Sequence, residues 1–297
     1  MTSPWLHPSV LSAALLALAP LFWLGFVGEQ GCAGLRARLQ PALLRLLLPA
    51  LLVIPYLLVA VPADSFRWYG CGVYLCAPVL VACCLAWVAR RDPEQTGHWL
   101  EFVVLLGLGL AVDLRWLEPA WPSGLAAFGK VLLLDAGLYG FLVVRGLSGV
   151  GFDLRLRGSD WKTGLREWCF YAPMAIPLGL WLGFLHVHWP PKHPWMAVPM
   201  WLFTFVLIAL PEEIFFRGWM QNLLERRIGR RGALAVTAML FGLSHFNKRT
   251  HFFNWRYVLL AALAGIFYGR AWREKRRIDA SAITHATVDT LWGLLLR

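Results

Sequence analysis

Six side chains in the second half of the chain have the types and spacings needed for chemistry. The stretch from Met200 to Ala209 is apolar apart from one Thr, and it is followed by Pro211, Glu212, Glu213 and, four residues on, Arg217. A second stretch ends Phe241-Gly-Leu-Ser-His245, and a third carries His285-Ala-Thr-Val-Asp289. On a helix, residues four apart share a face, so Glu213 can pair with Arg217, and His285 and Asp289 project toward one point. Glu212 points about 100° away from Glu213 with no cation on its own helix, which leaves it free to act as a base. A single buried His or Asp between helices usually serves as a hydrogen bond that holds them together. Two His, two Glu, an Arg and an Asp converging from neighbouring apolar segments read instead as a site for acid–base hydrolysis.

The elements that must position these groups follow from composition. Hydrophobic residues make up 59% of the 297 residues and charged residues 15%, too apolar a balance for a soluble domain. In lipid every backbone polar group must be satisfied within its own segment or in a closed barrel, and these runs are too long and continuous for barrel strands. The expectation is therefore an all-α, polytopic transmembrane bundle of about ten spans, between about 8 and about 12. The runs near 98–113 and 233–246 are short for a span. Pro211 removes one backbone donor and predicts a kink beside the carboxylates.

The net charge of +11 arises from short basic clusters between apolar runs, not from one basic face. It reads as membrane orientation, not as nucleic-acid binding. Most Lys and Arg fall in alternate loops, which places both termini on the non-cytoplasmic side, in what reads as a bacterial cytoplasmic membrane. Many of the 17 Trp lie near the ends of runs, as interfacial anchors do. The first run, from about Val10 to Val27, has no basic leader and is followed by Gly-Glu-Gln-Gly with no Ala-x-Ala cleavage site there, so it reads as a span and not a removed signal. The stretch 147–165 alternates apolar and basic residues like a segment lying on headgroups. It divides the chain into an N-terminal membrane region, 1–146, poor in buried polar groups, and a site-bearing core, 147–297. The six Cys read as small packing residues, with no zinc-knuckle spacing. Glu101 and Lys130 could pair across helices. His186, His188 and His193 read as solvated loop residues.

Glu212-Glu213-x-x-x-Arg217, Phe241-x-x-x-His245 and His285-x-x-x-Asp289, in this order on successive apolar segments, resemble the CPBP family. That family comprises type II CAAX prenyl endopeptidases and their bacteriocin-processing and immunity relatives, a group of glutamate-type intramembrane proteases. The resemblance covers roughly residues 150–297. It implies that Glu212 and His245 activate a water, that Glu213 and Arg217 form a supporting ion pair, and that His285 and Asp289 face the carbonyl oxygen as an oxyanion site. The match departs from the type II CAAX enzymes at Asp289, where they carry Asn. An ionised Asp cannot donate a hydrogen bond, so His285 is the better oxyanion donor. The implied substrate is a membrane-anchored or lipid-proximal protein or peptide, in processing or sorting of exported proteins, and no cofactor is expected.

Three other readings compete. Two His with Glu and Asp could ligate zinc in a membrane metalloprotease, although His-Glu-x-x-His is absent. The cluster could be helix glue in a non-catalytic scaffold or immunity protein. A proton-coupled transporter is the third, although no internal repeat is evident. Chelation separates the first from a metal-free hydrolase: cleavage should survive chelator, whereas loss on chelation with recovery on adding zinc would select the metalloprotease.

Overall fold

A computed structural model describes residues 4–191, 193–248 and 253–296. It is 79% helical, and no strand occurs among the described residues. The chain divides into two compact units, Met1–Ser148 and Gly149–Arg297. Five helical stretches are long and apolar enough to cross a membrane: Pro8–Arg38, Ala42–Ala60, Trp68–Arg91, Ala127–Arg145 and Pro194–Leu243. By length and apolarity the count is thus five where the sequence suggested about ten. Two of the expected spans lie within one helical run, Pro194–Leu243. The helix Trp99–Asp113 has only 15 residues, about 22 Å of rise, which is short of a hydrocarbon core.

The first unit contains α1 (Pro8–Arg38), α2 (Ala42–Ala60), α3 (Trp68–Arg91), α4 (Trp99–Asp113) and α5 (Ala127–Arg145). An aromatic cluster of Tyr56, Tyr74, Trp121 and Phe128 fills its core, and Trp121 Nε1 donates to the Tyr74 hydroxyl at 2.8 Å. Glu101 does not pair with Lys130 as expected. It is fully buried and takes Arg145 Nε at 2.6 Å, while Arg145 Nη2 reaches Asp92 at 2.8 Å. Lys130 instead lies 3.9 Å from Glu118. A buried guanidinium is the stronger claimant for a buried carboxylate, because its planar fork can serve two acceptors at once. The Cys reading also changes. Of the six, Cys32 alone is buried; the others are partly or fully exposed, and all are free thiols.

The second unit contains α6 (Gly158–Trp181), α7 (Pro194–Leu243), α8 (Trp255–Lys275) and α9 (Ile278–Leu295). The run α7 is interrupted at Gly229, whose φ of 72° and ψ of 170° break the helix. The kink expected at Pro211 takes another form. Phe205–Ala209 and Ile214–Gln221 are wound as π-helix on either side of a short α-turn, Leu210–Glu213. A widened turn relieves the clash between the Pro ring and the preceding carbonyls without breaking the axis.

Helix α9 packs on α6, on α8 and on the first part of α7. Gly164 permits the approach of α6: a Cβ there would lie 2.7 Å from the Ala280 carbonyl. Thr284 Oγ1 donates to the Gly164 carbonyl at 2.9 Å across the same seam.

The start of α9 is fixed by Arg277, which is buried and reaches three carboxylates: Asp160 at 2.8 Å, Asp153 at 3.1 Å and Asp279 at 2.6 Å. Its Nη2 also donates to the carbonyls of Asp153 and Arg155. One side chain thereby ties the loop before α6, the first turn of α6 and the first turn of α9. Partial burial would push the Asp153 carboxyl up, but its bonds from Arg155 and Arg277 win and hold it down at about 2. Asp153 keeps Arg155 and Arg157, but without Arg277 the buried Asp160 and Asp279 lose their guanidinium, so Arg277→Met should lower stability by about 3–5 kcal/mol, read as equilibrium unfolding in mixed micelles.

Candidate active site

Glu212, Glu213, Arg217, His245, His285 and Asp289, the site residues singled out from the sequence, all belong to the second unit. Its centre is Glu213, on the α-turn between the two π-wound segments, and fully buried. One carboxylate oxygen accepts from His285 Nδ1 at 2.9 Å. The other accepts from the Ser281 hydroxyl and lies 3.1 Å from Arg217 Nε. The guanidinium of Arg217 is fully buried too, with its carbon 4.8 Å from the Phe241 ring centroid and 5.7 Å from that of Tyr268. Aromatic faces supply the attraction that solvent cannot.

His285 stacks on Tyr268, with ring centroids 4.6 Å apart and planes within 16°. A carboxylate can only accept, so the contact with Glu213 places a hydrogen on Nδ1. The opposite nitrogen, Nε2, faces Asp289 at 3.5 Å and Glu212 at 4.0 Å. His285, Asp289 and Ser281 share a face at spacings of four, as helix geometry dictates.

Glu212 has a cation nearby that its own helix does not supply. Lys248 Nζ lies 3.9 Å from Oε1, supplied by the turn after α7 and not by Glu212's own helix. The second oxygen, Oε2, is buried and has no hydrogen-bond partner among the described residues. His245 is buried, and its Nδ1 lies 2.8 Å from the Phe241 carbonyl. Because that oxygen also only accepts, Nδ1 carries the hydrogen and Nε2 keeps its lone pair.

A largely apolar cavity of about 360 Å³ has His245, His285 and Asp289 on its wall, beside Tyr171, Tyr257 and Tyr268. Glu212 does not line that cavity. Among the described residues, no group of three or more His, Cys, Asp and Glu is arranged to hold a metal ion. This includes His186, His188 and His193; the backbone N–H groups of His186 and His188 donate to the carbonyls of Leu296 and Leu295.

Sequence reasoning missed three contributors. Ser281 lies four residues before His285, and that spacing was a usable signal. Lys248 and Tyr268 come from other elements, and nothing in their local sequence points to Glu212 or His285.

Residues 194–291 match the family model of the type II CAAX prenyl endopeptidase Rce1-like proteins. That segment is about a third of the chain and contains Glu212, Glu213, Arg217, His245, Ser281, His285 and Asp289. Two curated proteins, the probable potassium transport system proteins Kup 2 of Legionella pneumophila strains Corby and Paris, are each 27% identical over 191 residues. That stretch is 63% of this chain and 28% of theirs, so the chain spans well under half the length of these relatives. No solved structure matches.

Because Ser281 donates to a buried charged acceptor, Ser281→Ala should destabilise the protein by about 1.5–3 kcal/mol. Unfolding in mixed micelles measures it, and the loss should fall to about 0.5–1.5 kcal/mol when Glu213 has already been replaced by Gln, whose amide oxygen is a neutral acceptor.

Proposed function

We propose that this integral membrane protein is an intramembrane endopeptidase of the glutamate type, acting on a membrane-anchored or lipid-proximal protein or peptide. The observation that carries the reading is the hydrogen-bond-free Oε2 of Glu212, 4.0 Å from a His285 whose far nitrogen is anchored on buried Glu213. The family match over 194–291 supports the same reaction class.

In this mechanism Glu212 takes a proton from a water, and the resulting hydroxide adds to the scissile carbonyl carbon. The lone pair of His245 Nε2 accepts the water's second hydrogen and orients it. His285, doubly protonated, donates from Nε2 to the developing oxyanion while Nδ1 remains bound to Glu213. Asp289 accepts from the same Nε2 in the resting site and orients the ring instead of donating. The proton on Glu212 then passes to the leaving amine as the C–N bond breaks. Glu213, Arg217 and Ser281 touch no reacting atom; they hold His285 in place.

Topology belongs to the same proposal. The helices of the second unit that fall short of the five apolar stretches lie in the bilayer with them, which brings the spans toward about ten. Both termini then face away from the cytoplasm of a bacterial cell, as the alternation of basic loops implies. A transport reading draws on the likeness to Kup 2, but it assigns no task to the chain of contacts from Ser281 through Glu213 to His285.

The test is Glu212→Gln in proteoliposomes carrying a membrane-tethered reporter peptide. The isosteric amide should keep the fold and reduce kcat by about 10²–10⁴-fold. A folded variant that still cleaves overturns the assignment, and potassium flux without any cleavage by the wild type selects transport.

A further inference from the structure

Away from the cluster around Glu213, four arginines and two glutamates enclose a polar cleft of about 310 Å³: Arg166, Glu167, Arg230, Arg270, Arg273 and Glu274. They come from α6, α7 and α8. The two carboxylates take up two of the guanidiniums. Arg166 reaches both Glu167 and Glu274, and Arg270 lies 3.0 Å from Glu167. Arg273 donates to the backbone carbonyl of Arg230 at 3.0 Å. Neither Arg230 nor Arg273 is paired with a carboxylate among the described residues, and the cleft carries a net positive charge of two, four cations less two anions.

The surroundings narrow what this charge can meet. On α6 the outward face reads Lys162, Arg166, Phe170, Met174 at steps of four, and it passes from charged to apolar within two turns. Phe170 is 51% exposed and Met174 54%. On α8 the outward face makes the same change at the same level: Glu274 and Arg270 are exposed, and four residues further from the end so is Ile266. Arg166 bonds to Glu274, and Arg270 lies over the Phe170 ring, 5.7 Å from its centroid, so the two transitions are side by side. Exposed apolar residues below a basic cleft mark the depth at which acyl chains end and headgroups begin.

We propose that this cleft binds the phosphate of an anionic phospholipid headgroup, with Arg230 and Arg273 as direct phosphate contacts and Arg270 bridging the headgroup to the apolar face. A guanidinium fork matches phosphate oxygens, and a site bounded by exposed Phe and Met excludes a fully hydrated ligand more readily than a lipid-borne one. Glu167 and Glu274 act as positioning residues that hold Arg166 and Arg270 apart.

The full chain in neutral detergent, offered equal phosphatidylglycerol and phosphatidylcholine, tests this by native mass spectrometry. The wild type should retain phosphatidylglycerol selectively, and Arg230→Gln, which removes no ion pair, should weaken retention about fivefold. The triple variant Arg230→Gln, Arg270→Gln, Arg273→Gln should abolish the preference. A control with the same loss of charge outside the cleft, Lys162→Gln, Arg231→Gln, Lys275→Gln, should keep it. No preference in the wild type overturns the proposal, as does equal loss in the control, which would mean diffuse attraction. Displacement of the lipid by millimolar inorganic phosphate would assign the cleft to a soluble phosphate and overturn the lipid source. If the triple variant unfolds, Arg230→Gln decides alone, and unchanged retention there counts against the site.

Discussion

A carboxylate with no exposed surface is costly unless its oxygens are paired within the protein. In Glu213 one oxygen takes the His285 imidazole, and the other takes the Ser281 hydroxyl and lies beside the Arg217 guanidinium, so the partners come from α9 and from its own helix. The arrangement of the second unit depends on this requirement. Arg217 comes from the same helix, but Ser281 and His285 come from α9, so α9 has one register in which the carboxylate is satisfied. A slide of α9 by one residue would leave a buried charge without its partners. The π-wound segments around Glu213 serve the same end by letting two adjacent glutamates face different partners beside a Pro.

The pin on Glu213 would be of little use if the helix carrying His285 could enter at any angle. Arg277 supplies the second fixed point, one turn before Ser281, through carboxylates of the preceding loop and of α6. Between these two points the close seam at Gly164 leaves no room for a side chain to pry the helices apart. Two charge clusters and a glycine contact thus determine the position of α9 to well within a residue. The spacing between His285 and Glu212 is inherited from that.

How much of this the amino-acid order disclosed follows the range of the interactions. Helical character was legible from long apolar runs, since lipid leaves few other ways to satisfy a backbone. Pairs within one helix were also legible. Glu213 and Arg217, four apart, lie 3.1 Å from each other, and His285 and Asp289 lie 3.5 Å apart. Contacts between distant segments were not. Glu101 chose Arg145 over Lys130 because burial and fork geometry decide such a contest, and neither is visible in spacing. Lys248 beside Glu212 depends on how the turn after α7 returns toward the site. The number of spans was obscured because helical winding, broken only at Gly229, continues through the basic stretch 226–231 that separates two apolar runs, so runs that read as separate spans lie in one helical stretch.

The wide turns flanking Leu210–Glu213 have one more consequence. A π-wound stretch stores a surplus residue in the helix, much as a dislocation stores an extra half-plane in a crystal. A single-residue deletion on either side of the glutamates can be absorbed by tightening that turn to the ordinary α pitch, leaving the helix beyond it in phase. The same deletion within the α-turn itself has no such reserve and would rotate Glu212 and Glu213 about 100° relative to one flank. The helix is therefore tolerant in length just outside the carboxylates and intolerant at them, so drift in chain length would be expected to accumulate around the pair and spare the pair itself.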